Sequence, residues 1–141
     1  MLLNATCVAV EGKGVLIVGP SGSGKSDLAL RLIEGGARLV ADDQTEIRDE
    51  GGELAASAPA AIAGLMEVRH VGLLRVPALA KIPLALYIEL ASADEKIERL
   101  PDGRGIVLLD HPLPRLRLPG LAASTPAKIR AALLYPLAES A

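Results

Sequence analysis

Apolar residues in this chain fall into short runs that are separated by glycine, proline and charged residues. Such runs, bounded by turn-forming residues, are typical of buried β-strands. The turn at residues 11–14 predicts a hairpin between the first two strands, and the glycine pair at 51–52 predicts a second hairpin within residues 44–57. The strands predicted from apolar runs span residues 5–10, 15–18, 38–41, 84–90 and 106–109.

Two segments have the pattern of helices. Residues 25–34 are rich in leucine and are followed directly by a pair of glycines, which predicts a helix that ends there. A second helix is predicted to begin where Ser124 or Thr125 caps it, with Pro126 in its first position. This helix is predicted to end at Tyr135, because another proline follows.

Two further segments have less regular patterns. Residues 65–76 mix apolar and charged side chains and fit either a strand or an irregular loop. Three prolines within residues 111–120 predict a loop with an edge-strand segment. The order of all these elements predicts an α/β fold with a mixed sheet, not a regular alternation of strands and helices.

Length and composition narrow the class of protein. The chain has 141 residues, so we take residues 1–141 as a single domain. The net charge is −2 and only two residues are aromatic, so neither a basic surface nor a stacking platform for nucleic acid is predicted. One cysteine excludes an internal disulfide framework. No apolar run approaches the ~18 residues of a membrane helix, and we expect a cytoplasmic protein that does not bind membranes.

The strongest motif is GPSGSGKS at residues 19–26, which fits G-x-x-x-x-G-K-[ST] at every fixed position. It lies between a predicted strand and a predicted helix, where glycines let backbone N–H groups turn toward phosphate oxygens. Lys25 is expected to neutralise the β- and γ-phosphates of a nucleotide, and Ser26 to place its hydroxyl on Mg²⁺. The alternative is a glycine-rich turn with an exposed lysine. The residues expected to bind the nucleotide are Gly19, Ser21, Gly22, Ser23, Gly24, Lys25 and Ser26.

A pair of aspartates, Asp42 and Asp43, ends the strand that follows the first helix. In P-loop proteins an acidic group at the end of a neighbouring strand faces the phosphates, where it holds Mg²⁺ or takes a proton from a nucleophile. Adjacent side chains on a strand point to opposite faces, so we expect only one of the two to face the γ-phosphate. A solvated acidic turn is the alternative.

Other polar residues give weaker signals. Glu67 and Arg69 would share one face of a strand and address one site together, but a surface ion pair explains them equally simply. For His70 and His111 we expect structural or surface roles, because neither has a metal-ligand spacing. Two arginines in the proline-rich stretch are candidates for contacts with a phosphate or an acidic partner, although exposed arginines usually make neither. They are Arg115 and Arg117.

Three segments together resemble the catalytic domain of HPr kinase/phosphorylase, in the short form that lacks an N-terminal domain. They are VLIVGPSGSGKSDLALRLIEGG, ARLVADD and MEVRHVG. The resemblance implies a P-loop kinase core like that of phosphoenolpyruvate carboxykinase, assembled as a homo-oligomer, usually a hexamer. It also implies ATP and Mg²⁺ as cofactors and a serine of the phosphocarrier protein HPr as the phosphoryl acceptor. In the reverse reaction of that family, inorganic phosphate removes the group and pyrophosphate is formed.

The resemblance also assigns roles to residues. Asp42 becomes the general base for the serine hydroxyl, with Asp43 beside it, and Lys25 completes the catalytic set. Glu67 becomes a carboxylate on the metal, and Arg69 contacts a phosphate or an acidic group.

The chain departs from the family pattern at three places. Asn4 replaces a histidine, Leu121-Ala122 replace Arg-Asn, and His70 replaces a glycine. Asparagine cannot gain a proton near neutral pH, so the reverse, phosphorylase reaction is expected to be the weaker one.

Three functions therefore remain open. The first is an ATP-dependent serine kinase that acts on an HPr-like protein and so regulates the phosphotransferase system. The second is a regulatory module that binds nucleotide with reduced or no catalysis. The third is a P-loop kinase for a small molecule, because a fold alone does not fix the acceptor.

Overall fold

A computed structural model describes residues 1–92 and 94–138, and within them it contains twelve strands and two α-helices. The strands are β1 (Leu2–Leu3), β2 (Thr6–Val10), β3 (Lys13–Val18), β4 (Arg38–Ala41), β5 (Thr45–Glu50), β6 (Glu53–Ser57), β7 (Leu65–Val68), β8 (Gly72–Arg75), β9 (Lys81–Ala91), β10 (Ile106–Leu108), β11 (His111–Leu113) and β12 (Arg115–Pro119). The helices are α1 (Lys25–Glu34) and α2 (Thr125–Leu134), and a short 3-10 turn spans Ala60–Ile62.

The main sheet is built around the long strand β9. Its path is β1-β5-β6-β9-β3-β2-β4, with β12 paired to β9 in addition. Strand β3 pairs parallel with residues 84–89 of β9, and β12 pairs parallel with residues 87–91 on the opposite side. Strand β6 pairs antiparallel with residues 81–83. The sheet is therefore mixed, which confirms the predicted fold class.

Alternation along the strands gives the sheet two apolar faces. Helix α1 covers one of them, where Leu28 and Leu32 pack with Ile17 and Ile88 in one hydrophobic cluster. Cys7 and its neighbours form a second cluster on the other face. Burial raises the pKa of the Cys7 thiol far above its ordinary value, so this side chain is a core residue, as the sequence indicated.

Several predicted elements are confirmed. Helix α1 has the predicted limits, and the first two strands form a hairpin, as do β5 and β6 around the glycine pair. The ambiguous segment at residues 65–76 contains the antiparallel hairpin of β7 and β8. The strand predicted at residues 106–109 is present as β10, and Leu108 is buried, but the strand is not part of the main sheet and is only partly buried. Strand β10 pairs only with β11 in a two-stranded ribbon outside the main sheet, and Val107 is 63% exposed.

Helix α2 has the predicted ends but not the predicted cap. Ser124 precedes the helix, yet its side chain makes no capping hydrogen bond. The hydroxyl of Thr125 instead donates to the carbonyl oxygen of Pro119 at 2.5 Å, which ties the start of α2 to the end of β12. Neither α1 nor α2, the helices of the described segments, is long and apolar enough to cross a membrane.

Candidate active site

The glycine-rich loop at residues 19–24, named the P-loop from here on, joins β3 to the start of α1. Gly22 and Gly24 have φ angles of 80° and 98°, values that side chains with a Cβ rarely adopt. The amide of Leu28 donates to the carbonyl oxygen of Gly24 at 2.8 Å, which starts the helix immediately after the loop. The N-terminal end of α1, with its unpaired amides, therefore faces the loop.

The P-loop is folded tightly on itself. The amide of Ser23 donates to the carbonyl oxygen of Pro20 at 3.0 Å, and a Cβ on Gly19 would lie 2.6 Å from the Ser23 hydroxyl oxygen. Within the described residues that hydroxyl is the one buried side-chain polar atom without a hydrogen-bond partner. The hydroxyl is packed against Gly19 inside the loop and is not part of the cavity lining.

Lys25 extends back over the loop that precedes it. Its Nζ donates to the carbonyl oxygen of Gly19 at 2.8 Å and approaches that of Pro20 at 3.4 Å. No carboxylate in the described segments forms an ion pair with this ammonium group. The positive charge is thus held beside the P-loop and remains available to an anion.

Asp42 lies directly after β4 and connects three elements of the site. Its Oδ1 accepts hydrogen bonds from the hydroxyls of Ser26 at 2.8 Å and Thr6 at 3.2 Å. Its Oδ2 accepts one from the backbone amide of Glu67 at 3.1 Å. The side chain is only 7% exposed. The carboxylate therefore fixes the start of α1, the first residue of β2 and strand β7 relative to one another.

Asp43 does not follow the strand alternation expected from the sequence. Strand β4 ends at Ala41, and Asp43 has a φ of 68°, in the left-handed region. Its amide donates to the Thr6 hydroxyl at 3.1 Å, while its side chain is exposed and lines the same cavity as Asp42. Strand alternation therefore does not separate the two aspartates, because neither belongs to a strand, and both line the cavity. They differ instead in exposure, since Asp42 is buried and Asp43 is exposed.

The hairpin of β7 and β8 contributes the opposite wall. Glu67 is on β7, whereas Arg69 lies in the turn beyond the end of the strand at Val68. The shared strand face predicted for Glu67 and Arg69 is therefore wrong, although both line the cavity and form no ion pair with each other in the described segments. His70, with a φ of 73°, also lines the cavity, at a backbone conformation that favours glycine.

These elements enclose a cavity of about 600 Å³. Polar residues that were predicted for the site line this cavity together. They come from the P-loop, the aspartate pair and the hairpin turn. Five lining residues were not predicted for the site: Asp27, Leu30, Val68, Leu121 and His70, for which a structural or surface role was expected. Thr6 was not predicted for the site either, although its hydroxyl donates to Asp42 and accepts from the amide of Asp43. A hydroxyl residue at the start of an otherwise apolar strand was the feature that could have indicated this role.

The residues around the cavity fit a magnesium nucleotide. Mg²⁺ is usually bound by one or two protein oxygens together with phosphates and water, and the hydroxyl of Ser26 and the carboxylate of Glu67 are such donors. No group of three or more His, Cys, Asp or Glu side chains suited to a metal ion occurs in the parts of the chain that the structure describes.

Five residues with candidate roles from the sequence are not among those that line the cavity: Asn4, Gly19, Ser23, Arg115 and Arg117. Asn4 is exposed before β2. Arg115 and Arg117 pair with Glu89, and do not reach the phosphate-binding loop. The suggestion that these arginines contact a phosphate is wrong for this conformation, because carboxylates of the chain itself occupy their guanidinium groups.

A strand-loop-helix of this form, with a lysine over the loop and a buried carboxylate on the next serine, defines a P-loop phosphate-binding domain. Comparison with known proteins narrows the class further. Residues 1–130 match the family described as the HPr serine kinase C-terminal domain, and the chain belongs to that family.

Individual proteins that are similar to this chain support the family assignment. Proteins named HPr kinase/phosphorylase from Clostridium novyi and Geobacillus thermodenitrificans are 37% and 39% identical to this chain over 127 and 128 residues. Each alignment covers 83% of this chain but 41% of the relative, so the chain spans about two fifths of the length of these proteins. The solved HPr(Ser) kinase/phosphatase from Coxiella burnetii has a TM-score of 0.82, covering 94% of this chain and 88% of that chain at 24% identity. This likeness establishes an α/β P-loop kinase fold.

Proposed function

We propose that this chain is the catalytic domain of an ATP- and Mg²⁺-dependent kinase that phosphorylates a serine of the phosphocarrier protein HPr. The observation that carries the proposal is the hydrogen bond from Ser26 to Asp42 at 2.8 Å, at a cavity that Lys25 also lines. It joins the phosphate-binding loop to the acidic strand end, the two parts that phosphoryl transfer requires. The relatives named HPr kinase/phosphorylase support HPr as the acceptor, and with it a role in regulating the phosphotransferase system.

Different groups of the chain have different roles in phosphoryl transfer. A bound magnesium nucleotide supplies the transferable phosphoryl group and a divalent charge. The amides of the P-loop and the ammonium group of Lys25 bind and orient the phosphates, and they stabilise negative charge as it develops. Ser26 and Glu67 are the metal-side ligands, and the guanidinium group of Arg69 contacts phosphate or an acidic group on the acceptor.

The two aspartates have different surroundings, which favours different roles. Both oxygens of Asp42 already accept hydrogen bonds, and its burial keeps it from an incoming protein hydroxyl. Asp43 is exposed to the cavity. The family resemblance gave the role of general base to Asp42. On the hydrogen bonds we propose instead that Asp43 accepts the serine proton, while Asp42 orients Ser26.

The reverse reaction is expected to be weaker than the kinase reaction. Asn4, which cannot carry a proton near neutral pH, is exposed and apart from the cavity lining. The imidazole that lines the cavity belongs to His70, on the other wall.

Three broader expectations accompany this function. One mixed sheet runs through the chain with an apolar cluster on each face, which supports a single domain over residues 1–141. An HPr-like acceptor supports a cytoplasmic location. The family resemblance supports a homo-oligomer, with a hexamer as the expected form.

Incubation of the full chain with labelled ATP and Mg²⁺ tests the proposal. One reaction contains an HPr-like protein, a second contains that protein with its acceptor serine changed to alanine, and a third contains a mixture of small metabolites. Label on the serine of the intact protein alone supports the kinase assignment. Nucleotide binding without transfer would favour the regulatory module, and transfer to metabolites alone would favour a small-molecule kinase.

A further inference from the structure

A second loop rests directly on the P-loop. This segment, Gly120–Ala122, is named the covering loop and links β12 to the start of α2. A Cβ on Gly120 would lie 1.9 Å from the carbonyl oxygen of Ser23, so only glycine fits at this contact. Beside it, a Cβ on Gly24 would lie 2.9 Å from Cδ2 of Leu121. The two loops are thus in van der Waals contact along their length, and Leu121 forms part of the cavity wall.

One arginine of α1 holds the covering loop in this position. The Nη2 of Arg31 donates to the carbonyl oxygen of Gly120 at 2.5 Å, and its Nη1 donates to that of Ala122 at 2.9 Å. Its Nε donates to Asp27 at 3.1 Å, one helical turn earlier. All three guanidinium nitrogens therefore donate hydrogen bonds. The two Nη atoms bind the carbonyl groups of the residues on either side of Leu121.

We propose that Arg31 is a positioning residue for nucleotide binding, which acts by holding Leu121 against the P-loop. The inference rests on the proposed function only in that the P-loop binds the phosphates of ATP. Arg31 is not among the residues that line the cavity, so its charge is not itself a phosphate contact. It acts through the position of the covering loop.

The reason for an arginine at this position is geometric. The carbonyl oxygens of Gly120 and Ala122 are two residues apart, and only a fork of donors reaches both at once. With the fork removed, the loop loses two charge-assisted hydrogen bonds, and Leu121 is free to leave Gly24. Leu121 is itself 67% exposed and excludes little water, so the effect is on geometry. The P-loop loses a contact that restricts Ser23 and Gly24, and its amides are then less well positioned for phosphate.

The chain offers a matched control. Arg130 of α2 makes a hydrogen bond of the same kind, from Nη2 to the carbonyl oxygen of Leu32 at 3.1 Å, at the far end of α1. Arg31→Met and Arg130→Met each remove arginine-to-carbonyl bonds that involve α1, so both are expected to lower the unfolding temperature. Only Arg31→Met disturbs the loop over the nucleotide. It also unpairs Asp27, which lines the cavity, so Arg31→Met is compared in the Asp27→Asn background, where that charge is absent.

The experiment measures the Kd for Mg·ATP of the full chain by titration calorimetry, with the unfolding temperature of each variant recorded without nucleotide. We expect Arg31→Met to weaken binding about tenfold and Arg130→Met less than about twofold. Arg31→Lys, which keeps the charge but places its N–H donors on a single nitrogen, is expected to lie between Arg31→Met and the parent. If Arg31→Met and Arg130→Met change the Kd equally, the proposed role of Arg31 is overturned and the residue only stabilises the fold.

A double-mutant cycle tests whether Arg31 acts through Leu121. If it does, Leu121→Ala weakens binding on its own, and Arg31→Met combined with Leu121→Ala is no weaker than Arg31→Met alone. If the fold losses in ATP affinity of the two single variants multiply in the double variant, Arg31 does not act through Leu121. Because the readout is ATP binding, failure of the parent to phosphorylate a serine would refute the serine kinase and leave this inference standing. A parent that does not bind Mg·ATP would overturn both.

Discussion

Two groups of charged side chains lie near the ends of the central strands, on opposite faces of the sheet. On the face covered by α1, Lys25, Asp42 and Asp43 line the cavity and take part in none of the ion pairs of the described segments. On the other face, Arg115 and Arg117 point the same way as Glu89, which both of them bind. The first group forms none of these ion pairs, and Asp43 is exposed to the cavity while Asp42 is held by hydrogen bonds. The second group neutralises its charges by ion pairs within the chain.

The second group holds a loop rather than a ligand. Arg117 binds Glu95 as well as Glu89, and Arg115 reaches Asp102 at 3.8 Å, so both arginines connect β12 to the loop between β9 and β10. The hydrogen bond that Arg117 donates to the carboxylate of Glu95 is the main reason why the pKa of Arg117 lies above its ordinary value. The sequence makes the two groups look alike, whereas the structure separates charges that face a cavity from charges that are paired.

Removal of the lysine charge should have the largest effect. Lys25→Ala takes away the ammonium group beside the P-loop, so phosphotransfer is expected to fall by about 10³-fold or more. The lysine contributes only two hydrogen bonds to carbonyl oxygens of the loop, so the unfolding temperature should change little. Transfer rates and thermal unfolding check this. A folded Lys25→Ala protein with near-parent transfer would exclude the P-loop as the active site.

Substitutions of the two aspartates should differ in their effects on the transfer rate and on the unfolding temperature. Asp43→Asn removes the proposed base and is expected to lower the transfer rate about 10²-fold with little change in unfolding temperature. Asp42→Asn places an amide where Thr6, Ser26 and the Glu67 amide all donate, so it should lower both activity and the unfolding temperature. Steady-state rates with thermal melts measure both effects. A normal rate for Asp43→Asn would return the base role to Asp42.

Local patterns predicted the parts of the site that depend on neighbouring residues. The P-loop and α1 follow from glycine spacing and the leucines beside it, and the position of the aspartate pair follows from the strand before it. The roles within the pair were not predictable, because they depend on where β4 ends and on the left-handed backbone of Asp43.

Contacts between distant segments left no local signal at all. Arg31 and Ala122 are 91 positions apart in the sequence, and only the folded chain brings them together. Leu121 likewise reads as an ordinary apolar residue until its contact with Gly24 is known. The pairing of Arg117 with Glu89 is also a product of strand register, which the sequence does not specify.

Loss of the Arg117 ion pairs should loosen the loop between β9 and β10 without changing nucleotide affinity. Arg117→Met removes the contacts to Glu89 and Glu95, so limited proteolysis within residues 94–104 should become faster and the unfolding temperature should fall by a few degrees. The affinity for Mg·ATP is expected to stay within about twofold of the parent. An ATP affinity that falls as far as in Arg31→Met would mean that the two faces of the sheet are coupled, contrary to the comparison.

The smallest effect is expected at Asp49, an exposed carboxylate whose Oδ2 is 3.1 Å from Nε2 of His111. The hydrogen bond from His111 holds the pKa of Asp49 below its ordinary value of 3.8. A carboxyl group with a lowered pKa in the folded state adds stability at pH values above its ordinary pKa, and this contribution is lost as the pH falls through the lowered value. Asp49→Asn should therefore lower the unfolding temperature by no more than about 2 °C at pH 5, since exposed pairs contribute little.

This difference between Asp49→Asn and the parent should shrink as the pH is lowered from 5 toward 2.5. Glu53→Gln is the control, because Glu53 is exposed on the adjacent strand β6 and forms none of the ion pairs of the described segments. It should match the parent at both pH values. A difference for Asp49→Asn that persists unchanged at low pH would show that the carboxylate charge is not its origin. Asparagine keeps an Oδ1 that can accept the hydrogen bond from the Gly52 amide, so loss of that bond would not explain the difference.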